Sequence, residues 1–153
     1  MADARTARVR KLARAWDPSF WDERTGRRRR ALLLAWKAAV STALDLLVAR
    51  HPELGEVLWT VGWTFDTEVK AVHRSAGKGH VLALNPVDEA GTMRYQISRR
   101  ADRQRMLAIA LHEVAHVGVE NHDERFASLL TALFGELDPV EADRCMRDAA
   151  ALA

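Results

Sequence analysis

Residues 101–122 read ADRQRMLAIALHEVAHVGVENH, and the rest of the chain is best read outward from them. Met106, Leu107, Ile109, Ala110, Leu111, Val114 and Ala115 make residues 101–117 apolar around most of a helical circumference, which predicts a buried helix. Gly118 is a natural stop for it. Inside the apolar run stand His112, Glu113 and His116. Two imidazoles and a carboxylate there are costly to bury without partners. Four residues advance a helix by about 1.1 turns and about 6 Å, so imidazoles at i and i+4 point the same way and can bind one metal ion. Glu113 falls about 100° round from His112, beside such an ion rather than on it, where it can take a proton from water. The pattern therefore predicts one zinc ion per chain, with His112 and His116 as ligands and Glu113 as general base.

A zinc site of this kind needs a third protein ligand. His122 is the best candidate: the helix ends at Gly118, the chain turns, and His122 comes back in the first turn of the next helix. Glu136, near the end of that next helix, competes for the role; its spacing resembles the gluzincin arrangement, although a solvated residue at a helix end is the plainer reading.

The stretch HEVAHVGVENHDERFASLL, residues 112–130, resembles the zinc motif of the YgjP-like and WLM peptidases, relatives of the SprT-like group. Those families show HExxH, five intervening residues and a third His followed shortly by an aromatic residue on a helix, as His122 and Phe126 do here. The resemblance extends loosely over residues 60–140 and implies zinc-dependent peptide hydrolysis. It also implies an extended substrate adding to a sheet edge beside the HExxH helix, for which the strand at 80–85 is the expected edge. Metzincins share the spacing of the third His, but they place Gly where Val119 stands, and Met146 lies on a predicted helix rather than in a tight turn. For an oxyanion-stabilising group the sequence offers only Tyr95, Arg125 and His80 as candidates, each more readily explained as structural or solvated.

Downstream, Asn121 and Glu124 predict a capped helix carrying Phe126, Leu129, Leu130 and Leu133 on one face. Asp138, Pro139 and Glu141 start another. Upstream, Val57, Trp59, Val61, Trp63 and Phe65 alternate with Leu58, Thr60, Gly62 and Thr64, a period of two that predicts a strand. Further strands are expected at 69–73 and 80–84, around the turn signal 75–79, with a fourth at 93–97. Leu33, Trp36, Val40, Leu44, Leu47 and Val48 recur at helical spacing and predict a helix over 30–50, ended by His51-Pro52. The fold class is therefore α+β: a small antiparallel sheet, a helix on one side, and the HExxH helix with two C-terminal helices on the other.

At 153 residues the chain suits one core. Residues 1–29 read as a basic, helical N-terminal extension and 30–153 as the metallopeptidase domain. Residues 1–50 carry 12 Lys and Arg against 5 Asp and Glu, whereas the remainder carries 11 against 16. The run Arg27–Arg30 is usually a solvated face; contact with DNA through this segment is the alternative it offers. A single cysteine, Cys145, excludes a disulfide framework and a CxxC metal site and fits a reducing compartment. The most apolar stretch, 31–48, is interrupted by Lys37 and Asp45, which argues for a core helix over a membrane span. His51 and His73 read as ordinary, and the five tryptophans as core. The expectation is a cytoplasmic zinc peptidase acting on protein or peptide. Its rival is a catalytically silent, zinc-stabilised module that docks peptide or a DNA-associated protein.

Overall fold

In the computed structural model the described residues are 9–11, 23–64, 69–76, 79–88, 93–119 and 122–153. The longest apolar stretch becomes helix α1, Glu23–Arg50. Its Leu32, Ala35, Trp36, Ala39, Val40, Ala43, Leu44 and Leu47 are all but completely buried. By length and composition residues 28–50 could cross a membrane, yet 56% of the apolar window is buried inside the domain. Its surroundings here are the other elements: α1 is the spine against which the other helices pack. The helix starts within the segment read as an N-terminal extension, so residue 29 is not a boundary of secondary structure. Of the stretch expected to be helical near the N-terminus, Val9–Lys11 instead form strand β1. Its flanks and the tryptophans Trp16 and Trp21 lie outside the described residues.

After a 3-10 turn at Pro52–Glu56 come strands β2 (Leu58–Trp63), β3 (Ala71–Ala76) and β4 (Gly79–Leu84). The sheet order is β1-β2-β4-β3. The β3–β4 hairpin is antiparallel, but β4 runs parallel to β2, and β2 parallel to β1. The sheet is therefore mixed, where the sequence pattern suggested antiparallel. The hairpin docks through its more apolar strand: Leu82, Ala83 and Leu84 take the centre, and β3, with exposed Arg74, takes the rim. Residues 80–84 are thus interior to the sheet, and the edge beside the helices is β3. Residues 93–97 form no strand; Met93 makes a single bridge to Val87.

The register places Trp59, Val61 and Trp63 opposite His80, Leu82 and Leu84, and Ala71 and His73 opposite Leu84 and Leu82, all on one face. The other face carries half-buried Thr60, Val72 and Val81 and exposed Arg74. Among the described residues, α1 and the HExxH helix α2 (Arg100–Gly118) lie together on the face that carries the tryptophans and leucines rather than on opposite sides. The Trp36 Nε1–H donates to the Leu82 carbonyl at 3.2 Å, tying α1 to the central strand. Helix α3 (Glu124–Glu136) packs on α2, and α4 (Pro139–Ala150) packs chiefly along α1. Asp138 caps α4 through the Glu141 N–H with Pro139 in the first turn, as its sequence predicts.

Candidate metal centre

Helix α2 presents His112 and His116 on the face that looks towards α3. Helix α2 gives way at Val119, whose N–H closes on the Ala115 carbonyl at 2.9 Å. The chain re-enters helix at Glu124, with Asp123 as the cap: its carboxylate accepts from the N–H groups of Arg125 and Phe126 at 3.0 and 3.1 Å. Asn121, the expected cap, lies outside the described residues. His122 therefore stands one residue before the cap rather than inside the first turn, and the Asp123 cap holds it facing α2.

The three histidines meet through the same atom. His112 Nε2 is 3.2 Å from His116 Nε2 and 3.2 Å from His122 Nε2, and the three ligand atoms all lie within 4.8 Å of one another. One Nε2 carries either a proton or a lone pair, so His112 cannot make a full hydrogen bond to both neighbours at once. A cation gives each nitrogen its own bond. Zinc bonds of about 2.0–2.1 Å in tetrahedral array place nitrogens about 3.4 Å apart, close to the separations from His112. Burial, and then the neighbouring His116 and His122, hold His112 below the ordinary imidazole range and so favour the neutral, ligating form. The group His112, His116 and His122 could hold a metal ion.

Phe126 organises this cluster. It is buried, stacks on His116 with ring centroids 4.5 Å apart, and meets the rings of His112 and His122 at 5.0 and 4.8 Å in edge-on geometry. The sequence marks Phe126 only as an aromatic following the third His; its contact with all three rings depends on how α3 crosses α2.

Glu113 is not one of the three ligand groups that come within 4.8 Å of one another. Burial raises its pKa, partly opposed by His122 and by a hydrogen bond from the His73 backbone N–H. A groove runs beside it, lined by Val69, Lys70 and Ala71 at the start of β3 and by Ala108, Ile109 and His112 on α2. Asn85 pins the lip of that groove: its side-chain amide donates to the Val69 carbonyl at 3.1 Å, and its backbone N–H to the Lys70 carbonyl at 2.8 Å.

Glu136, the rival third ligand, is elsewhere. It pairs with Arg50 of α1 at 2.6 Å. Tyr95 is buried with Arg105 over its ring, and Arg125 is mostly exposed against Asp123; neither joins the histidine cluster. Of the arginine run, Arg28 and Arg30 are exposed and Arg29 is buried. Cys145 lies half-buried on α4, 3.7 Å from a Glu141 carboxylate oxygen.

His73 and His80 are the residues that sequence reasoning undervalued. His73 Nε2 lies 2.7 Å from His80 Nδ1. Burial, then His80 and His116, push the His73 pKa down to about 4. The β3–β4 register pairs His73 with Leu82 and Ser75 with His80, which puts positions 73 and 80 on one face, diagonally adjacent.

No protein-family model, no curated protein and no solved structure matches this chain. What fold and site define is a class: an α+β domain with three histidines, from the HExxH helix and the turn after it, gathered at metal-binding distance.

Proposed function

We propose that the chain is a zinc-dependent metallopeptidase of zincin type. One observation carries the reading: three imidazole Nε2 atoms converge, and the neighbouring Glu113 lines a groove between α2 and the start of the edge strand β3. A purely structural zinc site is usually closed by four protein ligands and needs no carboxylate beside it.

His112, His116 and His122 would hold the ion. Zinc in such a site polarises a carbonyl and lowers the pKa of water. Glu113 accepts the proton of the attacking water and passes it to the leaving amine. Its burial raises its basicity and so suits it to that task. The outward backbone groups of β3 other than the His73 N–H, which bonds to Glu113, are where an extended peptide would lie, with its side chains reaching the groove between β3 and α2. This replaces the 80–85 strand as the docking edge.

The test is elemental analysis of the purified chain together with cleavage of labelled casein and a mixed peptide library, with and without chelator. About one zinc per chain and chelator-sensitive cleavage are expected. A thermal midpoint that falls with chelator but no cleavage would favour the silent zinc-stabilised module. Absence of metal after reconstitution would end both.

A further inference from the structure

We infer that the His73–His80 imidazole pair is a positioning element that holds Glu113 in place through the edge strand. The inference deepens the peptidase reading, since the role matters for catalysis only if Glu113 is the base.

The chain of contacts starts in the core. Trp59 is buried, and its Nε1–H donates to the Leu54 carbonyl at 3.3 Å. Its ring stacks on His80 with centroids 4.8 Å apart and planes 22° from parallel. His80 in turn stacks on His73 at 4.9 Å and shares a hydrogen bond with it, Nδ1 to Nε2, at 2.7 Å. One ring donates and the other accepts, so both are held in the ring plane of that bond. The three residues come from β2, β4 and β3, one from each strand, and step across the sheet to its rim.

At the rim the backbone takes over. Asn85 N–H bonds to the Lys70 carbonyl, and Lys70 stands opposite Asn85 when the β3–β4 register is continued. In an antiparallel ladder hydrogen-bonded pairs alternate, so even-numbered residues of β3 turn their backbone groups to β4 and odd-numbered ones turn theirs outward. His73 is odd, and its outward N–H is the one that meets the Glu113 carboxylate. An edge strand is held on one side only. The His80 anchor acts on the same residue whose N–H holds the base. The imidazole pair lowers the freedom of residue 73, and with it the freedom of Glu113. Nothing else in the ladder ties the side chain of an outward-facing β3 residue to the central strand by a hydrogen bond among those resolved for the described residues.

The tests use the full zinc-loaded chain. Asn places an amide atom near the Nδ1 position and Gln near Nε2, so His80→Asn and His73→Gln keep the hydrogen bond in kind, whereas His80→Phe keeps the stack on Trp59 and removes it. With casein as substrate, His80→Phe should lower kcat by roughly ten- to hundredfold, the scale of a small misplacement of a catalytic group, with KM within about twofold. Zinc content should stay at one per chain, and His80→Asn should restore most of the loss. A second readout is independent of turnover: the His73 backbone amide, resolved by nitrogen-15 NMR, should lie downfield, move in Glu113→Gln, move the same way in His80→Phe, and stay in His80→Asn. Unchanged kcat in His80→Phe, or kcat, KM and zinc content falling together with thermal stability in both His80 variants, would overturn the inference. If His80→Phe fails to fold, His73→Leu against His73→Gln puts the same question from the other ring. If the wild-type chain cleaves nothing, the peptidase reading falls, and the amide shifts alone decide whether the pair positions Glu113: a His73 amide indifferent to Glu113→Gln overturns it.

Discussion

Helix α2 carries a polar cluster at each end, and the two are built on opposite principles. At its first turn Asp102 and Arg103 are buried, and every strong group has a complementary partner. Arg103 grips Asp143 of α4 with two nitrogens, at 2.7 and 3.2 Å, and donates a third bond to the Ile97 carbonyl at 2.7 Å. Asp102 accepts from the Gln96 N–H at 2.8 Å and from Arg105 at 2.6 Å. At the other end His112, His116 and His122 bring three like atoms together, and the single Nε2 of His112 cannot make a full hydrogen bond to both of the others. Complementary partners close a polar cluster and make it part of the architecture. Like groups that converge leave it open to a third party. The difference separates a closed structural cluster from a group that could hold a metal ion, both on one helix.

The largest effects should come from the open end. Glu113→Gln should keep the zinc and lower kcat about 10²- to 10⁴-fold, the usual contribution of a general base. Persistent cleavage by that variant would remove Glu113 from the mechanism. His122→Ala should weaken zinc binding by more than about a hundredfold, beyond what loss of an outer-shell partner costs. Glu136→Ala should leave the zinc in place, because Glu136 pairs with Arg50; zinc lost in that variant instead would break the assignment of the third ligand. The closed end should respond in stability alone. Arg103→Leu leaves Asp143 with Arg147 as its remaining salt-bridge partner and strips the Ile97 carbonyl of its donor, and should cost roughly 1–3 kcal/mol, the scale for leaving a buried polar group without its partner. Zinc content should not change. A chemical-denaturation series read beside elemental analysis checks both halves of that statement.

The two ends also differ in how far the sequence reveals them. The histidine cluster is local: two of its members are four residues apart on one helix, and the third follows six residues later. Helical geometry and a helix stop at Gly118 were enough to read it. Helix α1, β2 and the hairpin strands were legible for the same reason, because period and turn residues are properties of neighbours in sequence. What escaped depends on docking. Alternating apolar residues could not tell whether the hairpin meets β2 through β3 or through β4, and that choice sets the parallel pairing, the true edge strand and the approach of His73 to Glu113. It also decides that, among the described residues, α1 and α2 share one sheet face. The Arg103–Asp143 pair joins residues 40 positions apart and rests on how α4 crosses α2, which no pattern of single residues encodes.

The smallest predicted effect concerns acid. The Arg103 guanidinium beside Asp143 holds that carboxyl below its usual range, with Arg147 and Arg100 adding to the effect. A free carboxyl of this kind titrates near 3.9 in an unfolded chain. The folded value is the lower one, so the pairing stabilises fully above about pH 4 and is lost as pH falls towards the folded value. Asp102 acts with the same sign: burial alone would raise its pKa, and the Gln96 N–H and Arg105 more than offset that. Thermal midpoints measured downwards from pH 6 should therefore fall more steeply below pH 4 in the wild type than in Asp143→Asn. The difference should be about 2–4 °C for each kcal/mol of pairing lost in a chain of this size. Identical acid limbs would mean that Asp143 and Arg103 gain little from their charges, and that the closed end of α2 is held by the shape of its hydrogen bonds.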